Sequence, residues 1–149
     1  MIRIVHDLSV GTTSFTNDDG EECEVPLDAA LVSAFWLQSA ATDSDSDEYF
    51  WAWEAVHRAA IEQVDGIVAF FVALADAVEG RLDDLAYLGA GPFEDLLRHG
   101  GPATPAILDE LDDAARRNEN VRLAVRAIWW GDNDDPYIVA RFSRFGPTY

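Results

Sequence analysis

The chain has 149 residues, with 28 Asp and Glu against 10 basic residues, all of them arginine, for a net charge of −18. One domain's length, 49% apolar residues and 11% aromatics suit a single packed core, which excludes a disordered acidic tail and a two-domain enzyme. Such a charge also excludes non-specific binding to nucleic acid or to anionic lipid, since both are polyanions.

Residues 1–26 alternate loosely through Ile2, Ile4, His6, Leu8 and Val10. They pass the turn-like Asn17-Asp18-Asp19-Gly20 before Val25 and Pro26, which predicts a short N-terminal hairpin or extended arm. From Leu27 the period becomes helical. Leu27, Leu31, Ala34, Phe35 and Gln38 share a face to about Ala41, with Asp28 in the first turn. A second helix is expected over about 47–64 with two apolar stripes, and a third, central one over about 65–79. Next comes a short helix through Leu88, ended by Gly89-Ala90-Gly91. This is read as a tight inter-helix turn, where Gly91→Val should cost stability. Pro92 then opens another helix, with Glu94 and Asp95 in its first turn.

Thr104 is expected to cap a helix that starts at Pro105 and keeps Asp109, Glu110, Asp112 and Asp113 on its wet side. After Asn118 the last strong helix carries Val121, Ala124, Val125, Ile128 and Trp129. Residues 137–142 alternate as a terminal strand that could pair with the N-terminal arm. The fold expected is mainly all-α, an antiparallel helical bundle or short stack of helix pairs with about six helices. Residues 1–26 form the arm or hairpin and 27–149 the helical domain of a single folded unit.

Three segments together carry a resemblance: YFWAWEAVHRAA, then LAYLGAGPFEDLLRHGG, then VRLAVRAIWW. They are similar to a family of uncharacterised bacterial proteins defined only as a domain of unknown function. It shares a tryptophan-rich helix, an Ala-Gly-Pro-Leu-Glu-Asp-Leu-Leu element and a late aromatic helix. The similarity runs from about Leu27 to Phe142, with Phe93 where that pattern has leucine. It implies homology and no particular activity.

No nucleophile elbow, paired thiol or phosphate-binding lysine loop is present, so no residue is assigned a catalytic role and no cofactor is expected. Cys23 sits among Glu21, Glu22 and Glu24, which disfavour its thiolate. The segment from Asp43 to Glu54 places acids at the first, third, fifth and twelfth positions of a calcium loop. Glu48 stands where the sharp turn wants glycine, and capping of the second helix by Asp45 or Asp47 is the preferred reading, with no metal assigned. His6, His57 and His99 share no metal-binding spacing. His57 reads as a core or rim histidine, and His99 as a favourable charge at a helix C-terminus.

Residues 1–80 hold 16 acids and two arginines, a net of −14, whereas residues 81–149 hold 12 acids and eight arginines, a net of −4. This polarity points to a non-catalytic acidic protein-binding module, in its most concrete form an immunity-type inhibitor of a basic toxin or nuclease. Its interaction residues would be Asp18, Asp19, Glu21, Glu22, Asp43, Asp45, Asp47 and Glu48, with Trp130 and Arg126 as an aromatic anchor beside a cation. The alternative is an enzyme or ligand-binding protein using Trp53, Glu54, His57 and Glu94 in a helical pocket. The expected partner is a basic protein, with no direct nucleic acid and no membrane, and the expected location is cytoplasmic, because the first residues lack the pattern of a secretory signal.

Overall fold

The computed structural model describes residues 9–16, 19–40, 48–98, 103–132 and 134–146. The chain is mainly helical, with a two-stranded antiparallel hairpin at its N-terminal side. Strand β1 (Ser9–Thr16) pairs with β2 (Glu22–Asp28) in the register Thr13 to Val25 and Ser14 to Glu24, with a bulge between Ser9 and Thr12. The hairpin is therefore present. Its second strand continues past Pro26, so Leu27 and Asp28 are strand residues and not the start of a helix. Asp28 still serves the helix that follows, because its Oδ1 accepts from the Leu31 N–H at 3.0 Å.

Helix α1 (Ala29–Ala40) buries Leu31, Val32, Phe35 and Trp36, and the Trp36 indole donates to the Leu74 carbonyl of α3 at 3.1 Å. Helix α2 (Phe50–Glu62) packs through small side chains, with Ala52, Ala55, Val56, Ala59 and Ala60 fully buried. It ends at Gln63, which turns left-handed at φ 51°. Helix α3 (Ile67–Ala77) is buried on nearly every side, as its apolar run predicts for a central helix.

The hairpin is pressed against the turn between α2 and α3. A Cβ on Gly11 would lie 2.3 Å from the Asp65 carbonyl oxygen, and one on Gly66 would lie 2.0 Å from that of Val10. Only residues without side chains let these two backbones touch.

The Gly-Ala-Gly-Pro string does not reverse the chain. Helix α4 (Leu82–Leu88) runs into a π-helical turn (Gly89–Phe93) and directly into α5 (Glu94–Arg98). Pro92 lacks an N–H to donate, and its ring would collide with the carbonyl four residues back. The wider turn accommodates both defects without breaking the axis. The glycine that permits close packing is also not Gly91, around which a Cβ meets nothing within 4 Å. It is Gly89, where a Cβ would lie 2.0 Å from the Ala124 carbonyl oxygen.

Helix α6 (Pro105–Arg117) starts where expected, the Thr104 hydroxyl accepting from the Ile107 N–H at 3.3 Å. Asn118 caps α7 (Glu119–Arg126), accepting from the Asn120 and Val121 N–H groups at 2.9 and 3.2 Å, and its amide donates to Asp76 at 2.9 Å. The expected terminal strand is instead a helix, α8 (Pro136–Ser143). Asp135 caps it by accepting from the Tyr137 N–H at 2.9 Å, Pro136 opens it, and Ile138 and Phe142, one turn apart, are buried.

Helix α8 is held by an acid that the sequence pattern places in solvent. Asp112 is only 4% exposed. It accepts from Arg141 Nε at 2.7 Å, pairs with Arg116 Nε at 2.8 Å and also binds Arg144. Arg141 reaches Asp109 as well, at 2.6 Å. Burial, the largest single influence on Asp112, pushes its pKa up. The Arg141 hydrogen bond and the charges of Arg144, Arg116 and Arg141 together outweigh it and hold the carboxyl below its ordinary value. No helix among the described residues is long and apolar enough to cross a membrane.

Candidate functional site

Phe50, Trp53 and His57 follow one another at helical spacing along α2, and their rings stack. The Phe50 and Trp53 centroids are 5.5 Å apart at 12°, and those of Trp53 and His57 are 4.9 Å apart at 10°. Phe50 is 45% exposed at one end of this row. At the other end His57 Nδ1 lies 2.6 Å from Asp95 Oδ2 of α5. A carboxylate only accepts, so Nδ1 carries the proton of this bond, and the second ring nitrogen is left to other partners. Trp53 also hydrogen-bonds Tyr87 of α4. Burial pushes the Tyr87 phenol above its ordinary value, and the Trp53 bond opposes this. Tyr87 in turn lies 6.0 and 6.5 Å from the Phe35 and Trp36 rings of α1.

The π turn explains why Tyr87 and Asp95 meet the same helix. In a regular α-helix, eight residues leave two side chains about 80° out of line. A one-residue insertion makes eight residues behave like seven, which reduces the offset to about 20°. Tyr87 and Asp95 thus both face α2, one against Trp53 and the other against His57, which lie one turn apart.

Glu94 is committed elsewhere. It pairs with Arg98 at 2.6 Å. Arg98 also binds Asp134 through Nε at 2.7 Å and Nη2 at 3.0 Å, and donates to the Trp129 carbonyl. Of the pocket expected from Trp53, Glu54, His57 and Glu94, the structure brings Trp53 and His57 into contact. Glu94 faces the Arg98 cluster, and Glu54 is half-buried on α2. The carboxylate that meets His57 is Asp95, which in the sequence stands out only as an acid favourable to the dipole of its helix.

Asp19, Glu21 and Glu22 are exposed on the hairpin side, and Glu48 is exposed just before α2. Asp18, Asp43, Asp45 and Asp47 lie outside the described residues, as do His6 and His99. Of the calcium-like segment, residues 50–54 are helical, and no group of His, Cys, Asp and Glu among the described residues is placed to hold a metal ion.

The two adjacent tryptophans differ in exposure. Helix α7 stops at Arg126, so the two tryptophans lie beyond its end, outside any helix or strand. Trp129 is 63% exposed, whereas Trp130 is half-buried against the core, and Arg126 packs on Gly146.

Charge is neutralised unevenly. Arg81, Arg98, Arg116, Arg117, Arg141 and Arg144 all hold acids within 3.0 Å in the second half of the chain. In the first half of the chain the hold is looser, and Glu62 meets Arg58 only at 3.9 Å. Next to the weakly held Glu62 lies a groove of 480 Å³, lined by Glu22 and Glu24 from β2, Thr12, Thr13 and Ser14 from β1, and Val64.

These features define a small, strongly acidic, mainly helical domain with a histidine and carboxylate pair on an aromatic rim. The chain belongs to DUF6869, a family of unknown function whose model matches residues 39–146. The match takes in α2 to α8 and leaves the hairpin outside. No curated protein and no solved structure matches the chain.

Proposed function

We propose that this chain is a non-catalytic acidic protein-binding module, acting in the cytoplasm as an immunity-type inhibitor that docks on a basic toxin or nuclease. The observation that carries this reading is the uneven neutralisation of charge. Arginines of α6 and of the C-terminal segment quench Asp109, Asp112 and Asp113 of α6, whereas Glu22, Glu24, Glu48 and Glu79 hold no ion pair with a described residue. An unquenched anionic surface steers a cationic partner and raises its association rate by about 10 to 10³. Exposed Phe50 and Trp129 supply the large apolar contacts that slow dissociation.

Co-expression with the product of the neighbouring gene tests the reading. Restored growth, together with a stable complex in gel filtration, is the expected result. Persistent toxicity, or a neighbour that is not cationic and does not bind, contradicts it.

The His57 and Asp95 pair favours a second reading, an enzyme in which Asp95 orients the imidazole as a general base. Turnover of a model ester or phosphoester that is lost in His57→Gln supports it, and equal background in both proteins removes it.

A further inference from the structure

We propose that the groove between α4 and α7 binds a free aliphatic α-amino acid, a small-ligand site independent of the docking reading above. The groove has a volume of 390 Å³, within the range of about 300–1,000 Å³ usual for small-ligand sites. Its walls are largely apolar, with Leu82 and Leu85 from α4 and Leu123 and Ala127 from the α7 side. Leu82 is 64% exposed, and an aliphatic chain laid in the groove removes part of that surface from water, which favours binding.

Two opposite charges line the same groove. Asp83 stands in the first turn of α4 and Arg126 in the last turn of α7, each at the helix end that favours its sign. They do not neutralise each other, and neither holds an ion pair with any described residue, whereas Arg81, Arg98, Arg116, Arg117, Arg141 and Arg144 all do. The Arg126 stem is seated on the backbone of Gly146, where a Cβ would lie 2.9 Å from Arg126 Cδ and 3.1 Å from its Cγ. The cation is thus positioned before a ligand arrives.

This lining selects its ligand by charge as well as by shape. A plain fatty acid satisfies Arg126 but is repelled by Asp83, and a plain amine satisfies Asp83 but is repelled by Arg126. A molecule that carries a carboxylate and an ammonium on an aliphatic body satisfies all of the walls together. An α-amino acid bridges the gap that the two side chains leave open, with its carboxylate on the Arg126 guanidinium, its ammonium on the Asp83 carboxylate and its side chain against the leucines.

Titration of the full chain with leucine, followed by amide NMR shifts, tests the inference. Saturable shifts around residues 82–86 and 123–127 are expected. 4-Methylpentanoate, which lacks the ammonium, and 3-methylbutylamine, which lacks the carboxylate, should each bind about tenfold more weakly than leucine. Arg126→Gln should weaken leucine by about tenfold and leave 3-methylbutylamine as tightly bound or tighter, and Asp83→Asn should do the same for leucine and 4-methylpentanoate. Arg122→Gln, which removes the same charge from α7 outside the groove, should leave leucine binding unchanged. Absence of saturable shifts at these positions up to about 10 mM leucine would overturn the site. Equal binding of the three compounds, or equal losses in Arg126→Gln and Arg122→Gln, would overturn it too.

Discussion

Two glycines two residues apart should respond very differently to the same substitution. In Gly89→Ala the new Cβ would lie 2.0 Å from the Ala124 carbonyl oxygen and 3.0 Å from both the Ala124 carbonyl carbon and the Ala127 Cβ. The obstacle is the backbone of α7, so relief requires the π turn and α7 to separate by more than about 1 Å. Overpacking of this kind costs about 1–3 kcal/mol where side chains yield, and a rigid backbone places this site at the upper end, about 3 kcal/mol. In a domain of this size each kcal/mol corresponds to about 2–4 °C, so the melting temperature should fall by about 6–12 °C. Gly91→Ala adds a Cβ with nothing within 4 Å, in a stretch of helical backbone. It should leave stability within about 0.5 kcal/mol, because the smaller loss of backbone freedom on folding is offset by crowding of the new Cβ against the Pro92 ring that follows it in the helical turn. Thermal melts followed by circular dichroism, with urea titrations for the free energies, measure both. A Gly91→Ala protein that melts well below the native chain while Gly89→Ala melts with it would refute this account of the helix contact.

Asp112→Asn should destabilise by about 3 kcal/mol, measured in urea at pH 7, because it leaves the Arg141 guanidinium, 19% exposed, with only the exposed Asp109 as an anionic partner. The Asp112 carboxyl is held below its unfolded value of about 3.9, so its contribution is fully present above that value and lost as pH falls through the folded pKa. The gap between native chain and variant in urea midpoint should therefore narrow between pH 5 and the acid limit of folding, and a constant gap would contradict the assignment. Asn118→Ala removes a cap that serves two N–H groups and a bond to Asp76, and should cost about 1–2 kcal/mol. Thr104→Ala removes a single cap bond and should cost less in the same titration. Trp129→Ala should leave stability within about 0.5 kcal/mol yet weaken partner binding, as read by calorimetry on the complex.

Features encoded within a few residues were legible in the sequence. Thr104-Pro105 and Asn118 announce α6 and α7 through local capping, and the alternation around Asn17-Asp18-Asp19-Gly20 announces the hairpin. The terminal helix is less legible although Asp135-Pro136 is itself a start signal. Gly131 to Pro136 resembles a break, and Ile138 and Phe142, four apart, satisfy a strand period and a helix period alike. Gly-Ala-Gly-Pro reads as a stop because glycine and proline both punctuate helices, and only the packing of α7 against Gly89 shows why the axis continues. The burial of Asp112 depends on arginines 29 and 32 residues later, and the contact of His57 depends on an acid 38 residues later. Such pairings are set by tertiary structure, so a helical wheel places Asp112 in water and gives His57 no partner.

If Glu22 and Glu24 on the hairpin help to steer this domain onto a basic protein, as proposed, salt should slow the encounter by screening them. The most direct measurement is the rate of association with the captured partner between about 20 and 200 mM salt. The account predicts a fall of at least tenfold across that range, with dissociation changing much less. An association rate that does not change with salt would contradict it.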